Sequence, residues 1–497
     1  MGYETDPFTK LLLNFITQMF TSVASSFMRL FGRKPKDPLP SAEQVTVMAR
    51  NPPTNKLLAS PTPRGVFFGA RGSQCVVKPE DMDGHVLVVG TPGSGKSSCV
   101  AIPTLRSWKG SIFAVDIKGE LYENTKGQRK DVKLFDPSNK DNAYSYDPFV
   151  FLNQSANPAQ EARAIAQAII PLPPDSKEPF WVESAQIILT GAILHFHHEH
   201  KTFIETLKTI QMFSPKELIK MVSESSNQKA VLCVKSFAEI DGKVLAGIAT
   251  EISRGIVAIV TDDDIVAALT QEEGQTEDFA CGEAKTTSEC GVSKSTTITP
   301  DDLEKGIDIY IKIPEHLLRQ WKNLLTLMTN QFISFFERRA ESPDNRPILF
   351  LLDEFPRLGK IPAITDALAT LRSKKITICL IVQSLAQLDM IYGHDTRKVI
   401  ADTCAYKAIL SASDADTQEY FSKLVGTYEK IRSSHSQNFD PYIGAPTGHG
   451  TSSSQDYEKR IIKPEEFATL QNELILLYPL PHNFCRVRKL PYYKVSK

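Results

Sequence analysis

The feature that most constrains the fold is an apolar run that passes into a glycine-rich turn, HVLVVGTPGSGKSSC, at residues 85–99. Residues 90–97 match the pattern GxxxxGK[ST], with a strand-like run before and a helix-compatible run after. Glycines let backbone N–H groups close around phosphates, Lys96 reaches the outer phosphates and the Ser97 hydroxyl binds magnesium. The sequence therefore predicts a strand–loop–helix unit that binds a nucleotide. The predicted contacts are Gly90, Thr91, Pro92, Gly93, Ser94, Gly95, Lys96, Ser97 and Ser98.

A second apolar run, ILFLLDE at residues 348–354, ends in two adjacent carboxylates. We predict that Asp353 holds magnesium together with Ser97, and that Glu354 polarises the attacking water, which favours hydrolysis over binding alone. A third run, ICLIVQ, ends in Gln383, which could orient that water or sense the terminal phosphate. Ligands of parallel sheets gather at the carboxyl ends of the strands. Polar residues also follow the strand at residues 111–115, namely Asp116, Lys118 and Glu120.

In the sequence, Arg372 lies between the acidic pair and Gln383, within ATLRSKK. An arginine supplied by a neighbouring subunit stabilises charge on a transferring phosphoryl group. We therefore consider Arg372 a candidate arginine finger acting on a second copy of the chain. A surface arginine at a helix end beside two lysines is an equally plain interpretation.

Strand, helix and strand signals alternate on either side of a long helical stretch. Such alternation predicts a mostly parallel sheet with helices on its faces, and hence an α/β fold interrupted by an all-helical domain. Two polar tracts with few large apolar residues predict mobile loops at 271–299 and 433–455. The predicted organisation is a helix and basic segment at 1–37, a linker at 38–63, the sheet domain at 64–152 and 304–497, and the helical domain at 153–303.

The N-terminal region contains an uncharged stretch at residues 11–28. Polar residues interrupt it and its apolar residues recur at helical spacing, which favours an amphipathic helix on a membrane surface over a full span. The basic residues that follow would meet anionic headgroups on the cytoplasmic side. A helix packed on the protein itself or on a partner subunit is the alternative. The basic residues are Arg29, Arg33, Lys34 and Lys36.

Composition narrows the class of protein further. The formal net charge is -1, which argues against a chain that coats nucleic acid with its whole surface but allows a local basic pore. The 8 cysteines include no CxxC pair. This pattern favours reduced, mostly buried thiols in a cytoplasmic protein, without disulfides or structural zinc.

Several longer stretches resemble the coupling-protein ATPases of type IV secretion and conjugation, the TraG/TraD family. The most specific of these are the block DEFPRLGK and the sequence VQSLAQL, which follow the second and third apolar runs. The others are GHVLVVGTPGSGKSSCVAIPTL, GSIFAVDIKGELYENTKG, AYSYDPF, PFWVESAQIILTGAIL and RKLPYYK.

The resemblance implies a RecA-like P-loop NTPase domain that uses ATP and magnesium, with an inserted helical domain around Trp181 that contacts DNA or protein cargo. It implies a homo-hexamer at the cytoplasmic face of the bacterial inner membrane that receives a relaxase with its single-stranded DNA and passes it to the secretion channel. Family members usually begin with a transmembrane pair, so either a separate membrane anchor protein serves this chain or the segment at residues 11–28 is a minimal anchor. Two alternatives stay open: a nucleotide-gated cargo receptor with little motor activity, and a double-stranded DNA pump of the chromosome-segregation type.

Overall fold

The computed structural model describes residues 58–59, 63–139, 144–173, 176–270, 297–439, 446–479 and 484–494. The chain divides into two compact units. One contains a two-stranded ribbon, and the other contains the large sheet and its helices. The site predicted from the sequence lies wholly in the second unit.

The large sheet has twelve strands in the order β1-β3-β2-β14-β13-β10-β4-β9-β8-β5-β7-β6. The seven from β10 to β6 pair in parallel, and the remaining strands extend the sheet with antiparallel pairs. The strands are β1 Leu58–Ala59, β2 Gly65–Arg71, β3 Gln74–Pro79, β4 Val86–Val89, β5 Ser111–Asp116, β6 Val132–Phe135, β7 Asp308–Lys312, β8 Ile348–Leu352, β9 Ile376–Val382, β10 Tyr406–Ile409, β13 Glu473–Leu477 and β14 Phe484–Arg488; the ribbon is β11 Thr427–Phe439 with β12 Pro446–Arg460.

Apolar side chains cover both faces of the parallel part of the sheet. In β4, Leu87 and Val89 belong to one hydrophobic core, whereas Val86 and Val88 belong to the other. Every residue of β8 is fully buried. This two-sided burial explains why these strands are unbroken apolar runs rather than alternating ones.

Helices fill the chain between β6 and β7, where the described residues form no strand. A helical segment Lys96–Ala101 leads into α1 Ile102–Ser107, and short helical turns lie at Lys126–Gln128, Lys235–Phe237, Phe355–Leu358, Leu371–Lys374, Pro464–Thr469 and Tyr492–Lys494. The other helices are α2 Glu120–Glu123, α3 Val150–Gln154, α4 Pro158–Ile169, α5 Pro179–His198, α6 Phe203–Met212, α7 Pro215–Ser223, α8 Gln228–Val234, α9 Gly242–Val260, α10 Asp263–Leu269, α11 Pro300–Lys305, α12 Leu318–Glu337, α13 Ile364–Thr370, α14 Leu385–Tyr392, α15 His394–Thr403 and α16 Ala415–Val425.

The starts of α6 and α7 follow from their sequences. Thr202 and Glu205 form a reciprocal capping box at the start of α6, and Ser214 and Glu217 form another at the start of α7. Each box satisfies backbone N–H groups that have no partner within the helix.

The prediction of a loop at 433–455 is wrong for the described residues, because β11 and β12 occupy most of it. Its Ser, Gly, His and Thr residues carry no apolar alternation, yet a strand paired to a neighbour satisfies its backbone whatever its side chains are. The predicted N-terminal helix lies outside the described residues, as does nearly all of the predicted loop at 271–299. Within the described part of the chain, no single helix is long and apolar enough to cross a membrane; α9 and α10 pass that test only as a pair bent by 83°.

Candidate nucleotide-binding and hydrolysis site

The glycine-rich turn follows β4 as a tight loop. Gly93 and Gly95 have φ of 76° and 96°, a region that favours glycine because it has no Cβ. A Cβ on Gly90 would lie 2.4 Å from Ser94 Oγ and 3.2 Å from Lys96 Cγ. Thus two glycines set the turn and a third makes room for the loop's own side chains.

Lys96 bends back over the loop. Its ammonium donates to the carbonyl oxygens of Gly90 at 2.7 Å and Thr91 at 3.1 Å. Burial lowers the pKa of Lys96, although the nearby charges of Asp353 and Glu354 raise it. The side chain is therefore a buried cation, and its present partners are neutral carbonyls. Phosphate oxygens can replace these carbonyls, because the charge-assisted hydrogen bond they form with the ammonium is stronger.

Two hydroxyls of the loop have different surroundings. Ser94 Oγ is buried and, among the described residues, has no hydrogen-bond partner. Ser97, the predicted magnesium ligand, is half-buried at the start of the helical segment. The loop thus holds an unused hydrogen-bonding group two residues before its lysine.

Asp353 emerges from the end of β8 into the same edge of the sheet as the loop. Its Oδ1 accepts a hydrogen bond from the backbone N–H of Glu354 at 3.0 Å, and the residue is 3% exposed. Burial, followed by the charges of Glu354 and Asp116, raises the pKa of Asp353 to about 6. Such a carboxylate is costly to ionise alone and gains from a nearby cation.

Asp116, at the end of β5, is a second buried carboxyl at this edge. Its Oδ2 accepts from the N–H of Tyr122 at 2.9 Å, and its Oδ1 has no partner in the described part of the chain. Burial raises the pKa of Asp116 to about 6, although backbone N–H groups of the following turn lower it. The sequence placed this residue near the edge but assigned it no role.

Glu354 has an unusual backbone and two cationic neighbours. Its φ and ψ are 47° and 43°, the left-handed region, which costs a non-glycine residue on the order of 1–3 kcal/mol. Its carboxylate pairs with Lys118 at 3.2 Å and with Arg357 at 2.7 Å. Burial alone would raise its pKa, but hydrogen bonds and charge from Arg357 and Lys118 outweigh burial and lower it.

Gln383 follows β9, which lies between β4 and β8 in the sheet. It therefore stands between the phosphate loop and the acidic pair. The side chains of Gln383 and Gln387 hydrogen-bond at 3.3 Å, so its amide is oriented from the next helix, α14. The parallel pairing brings Lys96, Asp353, Glu354 and Gln383 to one edge.

Arg372 lies at the other edge. It is exposed in the turn Leu371–Lys374, just before β9 begins, whereas Gln383 follows the last residue of β9. Seven strand residues span about 23 Å, so Arg372 is far from the loop of its own chain. Its action on the nucleotide of a second copy stays a prediction.

Two residues of the site were missed by sequence reasoning. Ser411, after β10, hydrogen-bonds Thr91 of the loop through both the N–H at 3.0 Å and the hydroxyl at 2.6 Å. Arg357 pairs with Glu354. The sequence signal for Ser411 is the apolar run YKAIL before it, which is too short to stand out. Arg357 lies within DEFPRLGK, but no sequence pattern assigns it a contact.

Known proteins resemble this chain over most of its length. A family model described as type IV secretory system conjugative DNA transfer matches residues 41–497. The VirD4 protein of Agrobacterium fabrum is 28% identical over 429 residues, which cover 82% of this chain and 58% of that protein. A conjugal transfer protein TraG of Escherichia coli is 22% identical over 468 residues, covering 86% and 68%. The chain thus spans a little over half the length of its VirD4 relatives.

Solved structures resemble the fold at low sequence identity. The bacterial conjugative coupling protein TrwB without its first 70 residues, in an unbound form, matches with a TM-score of 0.65 and 16% identity, over 92% of this chain and 95% of that one. TrwB in complex with ADP and Mg²⁺ matches with a TM-score of 0.64 and 15% identity, over 93% and 95%. This similarity shows a RecA-like P-loop NTPase fold. Since the family model covers nearly the whole chain, the protein belongs to the family of type IV secretion coupling proteins of conjugative DNA transfer.

Proposed function

We propose that this protein hydrolyses ATP and couples hydrolysis to the transfer of a relaxase with its attached single-stranded DNA into a type IV secretion channel. One observation carries the proposal: Lys96 and the Asp353–Glu354 pair meet at the carboxyl edge of the parallel strands β4 and β8, which lie on either side of β9. A phosphate loop alone supports binding, whereas a loop with an acidic pair supports hydrolysis.

The residues at this edge fit ATP and magnesium. The Ser94 hydroxyl, which has no partner among the residues the structure describes, forms a donor set for phosphate oxygens together with the N–H groups of the loop and Lys96. The Ser97 hydroxyl and the Asp353 carboxylate are oxygen ligands of the kind magnesium prefers. When bound, magnesium would neutralise charge on the phosphates. The TrwB complexes with an ATP analogue and with ADP and Mg²⁺ support the same pair of ligands.

We assign each side chain one task in hydrolysis. Glu354 accepts a proton from the attacking water, Gln383 orients that water, and Lys96 balances negative charge on the outer phosphates. Arg372 of a neighbouring copy would add positive charge at the transferring phosphoryl group. Its position at the opposite edge of its own sheet favours this action between copies over action within one chain.

Membership of the coupling-protein family supports a proposal about the partners of this protein. We propose a homo-hexamer at the cytoplasmic face of the inner membrane that contacts channel subunits and touches DNA mainly through its phosphates. DNA contact of this kind weakens steeply with salt, which gives a simple check of its electrostatic origin.

The deciding experiment measures ATP turnover of the full chain with and without single-stranded DNA. We expect turnover that rises with DNA, is lost in Lys96→Ala together with nucleotide binding, and is lost in Glu354→Gln while nucleotide binding is kept. Lys398→Ala, which removes an exposed lysine paired with exposed Asp395, is the matched control and should behave as wild type. Cargo binding with negligible turnover would instead favour a nucleotide-gated receptor, and no effect of DNA or of Lys96→Ala would refute the proposal.

A further inference from the structure

The predicted base, Glu354, is engaged on both oxygens of its carboxylate. Lys118 Nζ lies 3.2 Å from Oε1, and Arg357 Nη1 lies 2.7 Å from Oε2. The Glu354 side chain is only 6% exposed, whereas Lys118 and Arg357 are 44% and 34% exposed, so each pair is buried at its acidic end and reaches solvent at its cationic end. A general base needs an accessible and sufficiently basic lone pair, and a cation at each oxygen occupies one lone pair of that oxygen and lowers the basicity of the carboxylate. The carboxylate is therefore held in a paired state rather than one ready to accept a proton.

The two cations are held differently. Arg357 Nη1 also binds Glu315 at 2.7 Å, and the Arg357 N–H donates to the Glu354 carbonyl within one turn. Arg357 is thus tied to Glu354 by the chain and anchored from a second side. Lys118 comes from a different part of the sheet edge, after β5, and its side chain is 44% exposed. An anion arriving from solvent can reach Lys118 without disturbing Arg357.

We propose that Lys118 is a reversible lock on Glu354: its ion pair restrains hydrolysis until a phosphate oxyanion draws the ammonium away, while Arg357 keeps the carboxylate in place. This inference rests on the proposed hydrolytic function. The competing oxyanion has two sources of the same chemistry, the terminal phosphate of a bound nucleotide and the backbone phosphate of DNA.

The test compares Lys118→Met, which keeps the length of the side chain but removes the charge, with Lys118→Arg, which keeps the charge. The kcat and KM for ATP are measured with and without single-stranded DNA. A lock predicts that Lys118→Met raises the DNA-free kcat by about threefold or more, with KM within about twofold, and that Lys118→Arg restores the wild-type rate. If DNA phosphate is the competitor, the ratio of kcat with DNA to kcat without DNA falls towards one in Lys118→Met. If nucleotide phosphate is the competitor, this ratio is unchanged.

A second measurement does not depend on turnover. Melting temperatures of nucleotide-free Lys118→Met, Glu354→Gln and the double variant form a cycle, and the ion pair predicts that the two changes are not additive. The lock is refuted if the kcat of Lys118→Met is unchanged or falls, or if the melting shifts are additive. In either case a wild type that hydrolyses ATP leaves the proposed function standing. A wild type without turnover refutes the proposed function and the lock together.

Discussion

The substitution Asp353→Asn separates stability from function at the site. The asparagine keeps the shape of the side chain and an oxygen that can accept the Glu354 N–H, but it removes the buried negative charge. Because burial and the charges of Glu354 and Asp116 raise the pKa of Asp353 to about 6, its ionised form destabilises the nucleotide-free fold. The variant should therefore be more stable than wild type and yet unable to hydrolyse ATP.

The magnitude and its pH dependence follow from the pKa. The folded-state pKa of about 6 lies above the usual value of 3.8 for an aspartate, so the folded state holds the proton more tightly than the unfolded state and loses stability as pH rises between those values. The cost of ionisation is about 1.5 kcal/mol at pH 5 and about 3 kcal/mol at pH 8. The unfolding entropy of a chain of 497 residues is about 1 kcal/mol per kelvin. Asp353→Asn should thus raise Tm by about 1.5 °C at pH 5 and about 3 °C at pH 8.

The assay is thermal melting of the nucleotide-free protein at pH 5, 6.5 and 8. Glu354→Gln is the matched control: two cations lower the pKa of Glu354, so its neutral variant should show no such gain. A Tm advantage of Asp353→Asn that is absent at every pH, or that does not grow with pH, would refute the reasoning about buried charge.

Three further outcomes are expected. Ser411→Ala removes both hydrogen bonds to Thr91, so nucleotide affinity should fall several-fold in a binding titration while Tm changes little; unchanged affinity would contradict a role in shaping the loop. Arg372→Ala should bind nucleotide normally yet lose turnover, and turnover should return when it is mixed with Lys96→Ala subunits that supply the arginine; normal turnover of Arg372→Ala alone would rule out the finger. Lys78 is fully buried, and burial lowers its pKa to about 8, so Lys78→Met should melt higher at pH 7, with an advantage that shrinks as pH rises through 8 to 10.

The strands that carry the site were predictable because each is a continuous apolar run. The run before Gly90 and the run before Asp353 are buried on both sides of the sheet, so nearly every position must be apolar and the pattern stands out in the sequence. Polar residues at their carboxyl ends then mark the ligand edge without any knowledge of the strand order.

The rest of the site depends on strand order, which no local pattern records. Ser411 reaches the loop because β10 pairs with β4, although about 320 residues of chain separate them. Lys118 reaches Glu354 because β5 pairs with β8. The ribbon β11–β12 was missed for a different reason, since pairing through the backbone leaves no apolar signature.

The segment that follows the acidic pair links the site to the helical part of the chain. The Thr326 hydroxyl of α12 donates to the Leu358 carbonyl, and Asn330 of α12 accepts from the Ala363 N–H at 3.0 Å. On its other side, α12 donates from Asn323 to the Ile169 carbonyl at the end of α4, at 3.1 Å. These contacts connect the turn that holds Arg357 to α12 and to the inserted helices. Such a contact chain becomes a coupling only if both ends bias one two-state element, and the Lys118–Glu354 pair is the element of this edge that can exist in two states.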